Sequence, residues 1–413
     1  MNGETEAIAS TQRPRVLVLA STFPRWPDDT EPPFVYNLSR QLAERFEVFV
    51  LAPHAPGSRR AETMDGMAVH RFRYAWPAKY EQLAYGGMLP NLKRKPWLWA
   101  QVPFFLIAEL ISTLRLARSH DVDVIHAHWL VPQGLVAALA ATILRKPVVV
   151  TAHGADVHGL RGRVASALKR WALGRMTRVT AVSQGLADSI QRLSSEHPVD
   201  VISMGVDVDR FRSMRGGSRL KRSLNLDGPM ILFVGRLAEK KGVRYMIDAM
   251  PGVLRAAPAA AFVIVGDGPL RLELERRADT LGIAESVRFM GAKRPDELPE
   301  FYSTADVFVA PSIVARGGDA EGIPVSLMEA MACGTPVVTT DVGGIGELVT
   351  HDRTGLVVKE RDPAGLAESV SRILTDEVLS RRLRRNARSL VQRKFAQSVI
   401  ANRYEHVLLE AAA

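Results

Sequence analysis

The sequence predicts an α/β protein made of two doubly wound, Rossmann-like domains that face each other across a cleft. Short apolar runs rich in β-branched residues alternate with helical stretches, as in parallel sheets covered by helices on both faces. The alternation occurs twice. Between the two series lies a polar and basic stretch, residues 209–228, with Gly216-Gly217 at its middle. A length of 413 residues suits two domains of about 200 residues each better than one.

In chain order, the first series predicts strands at Arg15–Ala20, Phe46–Ala52, Val122–His126, Pro147–Thr151 and Arg178–Val182. The second predicts them at Met230–Gly235, Ala261–Gly266, Val287–Met290, Val307–Ala310 and Pro336–Thr340. Helical segments such as Val35–Arg45, Gly134–Leu144, Leu270–Leu281 and Pro324–Ala332 lie between them. The expected division is a first domain over 1–208, a connector over 209–228 and a second domain over 229–394. The last 40 residues carry charged helical sequence and no strand pattern. Ligands in such sheets gather beyond the carboxyl ends of strands, where helix N-termini point outward, so the loops after strands are where chemistry belongs.

Composition narrows the classes. Hydrophobic residues at 47% and charged residues at 24% are ordinary for a globular protein, which sets aside disordered and fibrous classes. Cys333 is the sole cysteine, so an intramolecular disulfide and a cysteine metal cluster are both excluded. It reads as a buried apolar residue where a helix ends. The first fourteen residues lack the apolar core of a signal peptide. The greasiest stretch, Trp97 to Ile111, is interrupted by Gln101, Pro103 and Glu109 and falls short of the roughly 20 apolar residues of a membrane span. The expected location is cytoplasmic, soluble or peripheral at the inner face of a membrane.

The net charge of +10 is shared between the halves, with 24 Lys+Arg against 18 Asp+Glu over 1–208 and 30 against 26 beyond. Its clusters say more. Lys93-Arg94-Lys95 precedes the apolar stretch, and Arg161 to Arg178 holds six basic residues and no acid, with Val164, Leu168, Trp171 and Leu173 as an apolar side. A basic amphipathic helix suits an anionic membrane surface, and a solvated face on a basic protein is the other reading. Nucleic acid is not expected as a partner, because no binding motif accompanies the charge.

Four segments carry the chemistry. Gly235-Arg236 through Lys241-Gly242 follows a strand and opens a helix. The Arg236 fork, the Lys241 charge and the helix dipole suit a diphosphate, and a solvated surface loop is the bland reading. Gly266-Asp267-Gly268-Pro269 lacks the third glycine of a dinucleotide fingerprint, which disfavours a nicotinamide dehydrogenase. Glu321-Gly322-Ile323-Pro324-Val325 leads into a helix that carries Glu329 among apolar residues and ends near Gly334-Thr335-Pro336. Amides near Gly322 to Ser326 point outward, and a buried acid such as Glu329 requires a ligand or partner. His153-Gly154 ends the strand that starts at Pro147 and suits a cleft. His126 and His128 also follow a strand and read as cleft or core residues, with no carboxylate close behind to complete a metal site.

These residues resemble the retaining glycosyltransferases of the GT-B fold, specifically glycosyltransferase family 4. Glu321 and Glu329 match its E-x7-E motif, and Gly235-Arg236 with Lys241-Gly242 is similar to its G-R-x4-K-G loop. The Gly266–Pro269 turn, His153-Gly154 and the loop Asp341-Val342-Gly343-Gly344-Ile345-Gly346-Glu347 also fit. The resemblance implies a nucleotide-sugar donor, UDP- or GDP-linked, no metal cofactor, and retention of anomeric configuration. It places Arg236 and Lys241 on the donor diphosphate, Glu329 on the ribose, Glu321 with the amides after it on the donor sugar, and His153 beside that sugar and the acceptor. Gly235 and Gly266 would line the donor pocket, and a C-terminal helix at about 395–413 would return to the first domain. Polysaccharide biosynthesis is the implied setting, with a glycan or lipid-linked glycan as acceptor.

One departure concerns the loop after the first strand. Many relatives carry a Gly-Gly pair there, whereas Asp28-Asp29-Thr30-Glu31-Pro32-Pro33-Phe34-Val35 has no glycine. Its role stays unassigned, with shaping of the acceptor site as one option. Three alternatives remain open on the same fold: a nucleotide-sugar epimerase, a phosphorylase, and a non-catalytic nucleotide-sugar-binding protein. A carboxylate pair alone also suits glycoside hydrolysis.

Overall fold

Eight strands form the first sheet: β1 (Arg15–Leu19), β2 (Glu47–Pro53), β3 (Ala61–Met64), β4 (Met67–Phe72), β5 (Val124–His128), β6 (Val148–Ala152), β7 (Arg178–Ala181) and β8 (Val199–Val201). Their order is β3-β4-β2-β1-β5-β6-β7-β8, parallel except for β3. The second sheet holds β9 (Met230–Val234), β10 (Ala261–Val265), β11 (Val287–Gly291), β12 (Val307–Ala310), β13 (Val337–Thr340) and β14 (Leu356–Val358), ordered β11-β10-β9-β12-β13-β14 and wholly parallel. The computed structural model describes residues 13–413 apart from Asp28, Thr30, Arg161, Glu196, His197, 214–216, Gly317 and Asp319. The predicted doubly wound α/β class is the observed one.

The central strands β5, β6, β9, β10, β12 and β13 are buried along their whole length, which is why most of them read as runs of apolar and β-branched residues without alternation, β5 being the exception with two buried histidines. Four strands escape that pattern. The β3–β4 hairpin turns at Asp65-Gly66, both with positive φ (45° and 79°), as a two-residue hairpin turn requires. β8 and β14 have three residues each, too few to show a period. A further correction concerns β5, which begins at Val124 and ends at His128, so His126 and His128 lie inside the strand and are not in the loop beyond it.

The apolar stretch near Trp97 also differs from expectation. A 3-10 turn over Pro96–Gln101 runs directly into a helix over Val102–Ser119, giving 24 continuous residues that contain an 18-residue window of mean hydropathy 1.4. By length and composition that run is sufficient to cross a membrane, so the interruptions at Gln101, Pro103 and Glu109 do not break it. It nevertheless forms the crossover from β4 to β5 and packs on the first sheet. Residues 209–228 are likewise no free tether: they include the helix Gly217–Ser223, which packs on Leu298–Thr304, and Phe211 is buried in the second core. Gly216, at the centre of that stretch, lies outside the described residues, as do the first twelve residues of the signal-peptide reading.

The chain crosses between the two sheets twice, and the crossings pair: Val206 N–H donates to Phe395 O (2.8 Å) and Gln397 N–H to Val206 O (2.9 Å). Beyond them the helix Gln397–Ala412 packs into the first core through Ile400, Tyr404 and Leu408. Tyr404 is fully buried, stacks near His126 at 5.4 Å and donates to Ile202 O at 3.2 Å. Tyr404→Phe is expected to cost about 1 kcal/mol of folding free energy, measured by urea unfolding, since it keeps the ring and removes one buried hydrogen bond.

Candidate functional site

The second sheet reverses its winding direction between β9 and β12, and their exit loops therefore open on one crevice. The β9 exit begins at Gly235, and a Cβ on Gly266 would overlap the Gly235 carbonyl, so only glycine lets the β10 turn cross so close. A 3-10 turn, Glu239–Lys241, then leads through Gly242 (φ 62°) into the helix Val243–Ala256. The β12 exit leads through Glu321 to the helix Val325–Ala332. This helix has no glycine or proline inside and stops where Gly334 adopts φ 77°. Pro324 is extended (ψ 124°) and flanks the helix instead of occupying its first turn.

Lys241 Nζ donates to Glu321 Oε2 at 3.0 Å, and Lys240 Nζ stands 3.5 Å from Oε1. The Glu321 side chain is 10% exposed, enough enclosure that an unpaired carboxylate would be costly. Burial pushes its pKa up, but Lys241 and then Lys240 outweigh it and hold the group below the usual carboxylate value. Behind it, a Cβ on Gly343 would overlap the Glu321 carbonyl, so the loop from Asp341 to Glu347 sits tight against the acid. Val325 packs against both domain cores.

Glu329 has the partner that its apolar surroundings demand. Tyr302 Oη donates to its Oε2 at 2.7 Å, and burial raises the carboxyl to about 7, against the opposing hydrogen bond and the Arg210 charge. The sequence marks Glu329 but not Tyr302, which lies 27 residues away on the helix Leu298–Thr304.

In the first domain, His153 follows β6 and precedes Gly154 (φ 110°). Asp156 fixes this turn: its Oδ1 accepts from the His153 and Gly154 amides (3.1 and 2.8 Å) and its Oδ2 from Leu130 N–H (2.6 Å). Phe34 and Trp129 pack on the imidazole at centroid distances of 5.1 and 4.8 Å, and His128 Nδ1 meets its Nε2 at 3.1 Å. The far nitrogen of His128, Nε2, is buried without a partner, a place that tolerates a bare acceptor better than an N–H. His128 then carries its proton on Nδ1 and donates to His153, leaving His153 Nδ1–H as a donor. Burial drops His153 to about 3, so the ring is neutral. His126 is fully buried against Thr151 (2.8 Å), a core residue. Among the described residues no three His, Cys, Asp or Glu side chains gather as metal ligands.

The two domains meet across this crevice. Arg236 Nη1 donates to Gly86 O at 2.7 Å, while Gly86 N–H donates to Glu31 Oε1 at 2.8 Å. The glycine pair opposite Arg236 thus comes from Gly86-Gly87, both at positive φ, and not from the loop after β1. Within that loop Asp29 is clamped by Arg25 (2.7 and 2.8 Å) and Phe34 reaches His153, while Asp28 and Thr30 lie outside the described residues. Gly322 lies close to Val182, Gly344 and Ile323 touch across from Ser183, and Glu347 Oε1 accepts from Gln184 N–H (2.7 Å). The residues after β9, β10 and β12 come together as Gly235, Lys241, Gly266 and Glu321. Glu329 with Tyr302, and His153 with His128, form two further clusters.

Comparison with known proteins follows the same division. Residues 33–210 match the family model of glycosyltransferase family 4, and residues 218–390 that of the glycosyl transferases group 1. An uncharacterized glycosyltransferase of Methanocaldococcus jannaschii is 32% identical over 317 residues, 73% of this chain and 78% of that protein. The chain is a family 4 glycosyltransferase. This glycosyltransferase is also 32% identical, over 63% of its own length and 69% of the other's, to the GDP-mannose-dependent alpha-(1-6)-phosphatidylinositol monomannoside mannosyltransferase of Mycobacterium tuberculosis. Its fold is GT-B: the crystal structure of Anabaena HepE in complex with UDP superposes with a TM-score of 0.74 at 20% identity, covering 96% of this glycosyltransferase and 100% of that chain.

Proposed function

We propose that this enzyme transfers a hexose-type sugar, with retention, from a UDP- or GDP-sugar to a glycan or lipid-linked glycan, without a metal cofactor, at the cytoplasmic face of a membrane. The observation that carries it is the buried Glu321 carboxylate paired with Lys241, directly before the helix Val325–Ala332 and within one crevice with Gly235. A donor diphosphate bound there meets the cations Arg236 and Lys241. As the bond from the anomeric carbon to phosphate breaks, charge builds on the leaving oxygen, so cations already in place act most strongly in the transition state. The acceptor hydroxyl attacks from the same face and its proton passes to that phosphate oxygen. Glu321, with the amides of Gly322 and Ile323, accepts and donates hydrogen bonds to the donor sugar. His153 Nδ1–H faces that sugar and the acceptor. The GDP-mannose dependence and the phosphatidylinositol monomannoside in one relative's name, and UDP in HepE, support this choice of donors and a lipid-linked acceptor.

A thermal-shift screen against UDP, GDP, ADP and their sugars tests the donor. Ligand at a hundred times its Kd stabilises the fold by about 2.7 kcal/mol, and no shift with any nucleoside diphosphate would sink the assignment. The anomeric configuration of the product, by NMR, tests retention.

Glu329 gives a pH dependence. Two ribose hydroxyls need a carboxylate that accepts from both, and the group takes a proton below about 7. Donor KM is then expected to rise about tenfold per pH unit below that value, and Glu329→Gln to raise KM at pH 8 and flatten the profile. Because the folded value lies above the unfolded one, the ionised group costs the unliganded protein stability as pH rises from 4.5 towards 7.

A further inference from the structure

The helix Val102–Ser119 packs on the first core through residues such as Leu106, Leu110 and Leu114, yet it also carries a second apolar face. Its sheet-facing stripe is Phe105, Glu109, Thr113 and Ala117, all buried, while Phe104, Ile107 and Ile111 point outward at 64%, 55% and 44% exposure. Trp76 (82% exposed) borders the same open groove of about 460 Å³ with Phe104, Ile107 and Ile111. Trp97 and Trp99 are exposed in the turn that enters the helix, and the neighbouring helix Leu135–Leu144 also exposes Leu139 and Ile143. An apolar face this large on a globular protein marks an interaction site.

The charges around it select the partner. Between Trp76 and Ser119 the sequence holds two acids, Glu81 and Glu109, and both are buried. The exposed charged residues in that range are Lys79, Lys93, Arg94, Arg115 and Arg118, all cations. Docking a second copy through a two-fold axis would set cation against cation. Tryptophans beside lysine and arginine around an apolar stripe suit the boundary between lipid headgroups and acyl chains. The helix also links two strands of one sheet, so it can lie in a bilayer surface but cannot span it without dismantling the sheet.

We infer that the face formed by Trp76, Trp97, Trp99, Phe104, Ile107 and Ile111 docks the enzyme on an anionic bilayer, inserting these side chains while the flanking cations meet lipid phosphates. This deepens the proposal of a lipid-linked acceptor and rests on it for its purpose, though not for its geometry. The test is flotation of the full chain with phosphatidylcholine vesicles, with and without phosphatidylglycerol. Preference for the anionic vesicles is expected, with tryptophan emission shifted to the blue and quenched by brominated acyl chains. Phe104→Ser/Ile107→Ser should weaken binding about tenfold or more, and Lys93→Glu/Arg94→Glu should remove most of the anionic preference. Unchanged melting temperature and nucleotide-induced shift would show that both variants fold. Vesicle binding unaffected by Phe104→Ser/Ile107→Ser would overturn the inference, as would a dimer in sedimentation that the same variant dissolves without any vesicle binding. Docking with transfer only to soluble glycans refutes the lipid-linked acceptor and leaves the docking face standing. Transfer to lipid-linked glycan in detergent without vesicle binding does the reverse.

Discussion

Lys241→Ala is expected to lower kcat by about two to three orders of magnitude, with a much smaller rise in donor KM. The asymmetry follows from where the charge develops. A bound diphosphate carries its charge already in the ground state, but the extra charge from the departing glycosidic oxygen appears only as the bond breaks, and Lys241 sits where it can meet it. Steady-state kinetics with the donor identified by thermal shift measure the split. A variant that loses KM and keeps kcat would assign Lys241 to donor binding alone. Lys241→Ala also leaves Glu321 with only Lys240, at 3.5 Å. The Glu321 pair contributes stability above the unfolded value of 4.5 and loses it as pH falls through the lower folded value, so the variant's loss of stability should be largest near neutral pH and shrink as the solution is acidified.

Lys241 and Glu321 are each legible in the sequence because each sits in a loop after a strand, just before a helix begins, a local signature. Their pairing is not. They are 80 residues apart, and they meet because β12 lies directly beside β9, a neighbour relation set by two crossovers that local pattern does not encode. The same holds for His153 and His128: β5 and β6 pair so that His128 stands opposite Thr151, two residues before His153. Asp156 was within reach, since an Asp two or three residues after a strand-ending His-Gly is placed to accept from their amides. So was the β3–β4 hairpin, whose Asp-Gly turn is a strong local signal. The helix Val102–Ser119 is harder to read for a physical reason: Pro103 and Glu109 look like interruptions, but Pro103 sits in the first turn, where a missing N–H costs nothing, and Glu109 is buried with Gln133 as its partner. The basic stretch after Arg161 is thinned in the same way. Lys169 turns inward to the carbonyls of Val157 and Leu160, Arg178 pairs with Asp200 and Glu410, and Arg175 covers Trp171, while Arg161 itself lies outside the described residues.

His153→Ala is expected to lower kcat about a hundredfold through loss of one preplaced hydrogen-bond donor. The pH profile decides what that donor is. A general base would show an inflection near the ordinary histidine value of 6.5, but burial takes His153 to about 3, so its contribution to kcat should be flat from pH 5 to 8. An inflection near 6.5 that vanishes in His153→Ala would overturn the neutral-donor role. His128→Phe tests the tautomer. It removes the N–H that holds His153 Nε2 as an acceptor and should reduce kcat by a smaller factor while donor KM stays near its original value. His126, His128 and His153 are all held below 6.5 by burial, so the folded state declines protons that the unfolded chain accepts. Stability from these rings is present above 6.5 and is lost as pH falls towards 3. Below about 6, donor-binding loss through Glu329 and unfolding through the histidines therefore act together. Kinetics at saturating donor, read against melting temperature at each pH, separate the two.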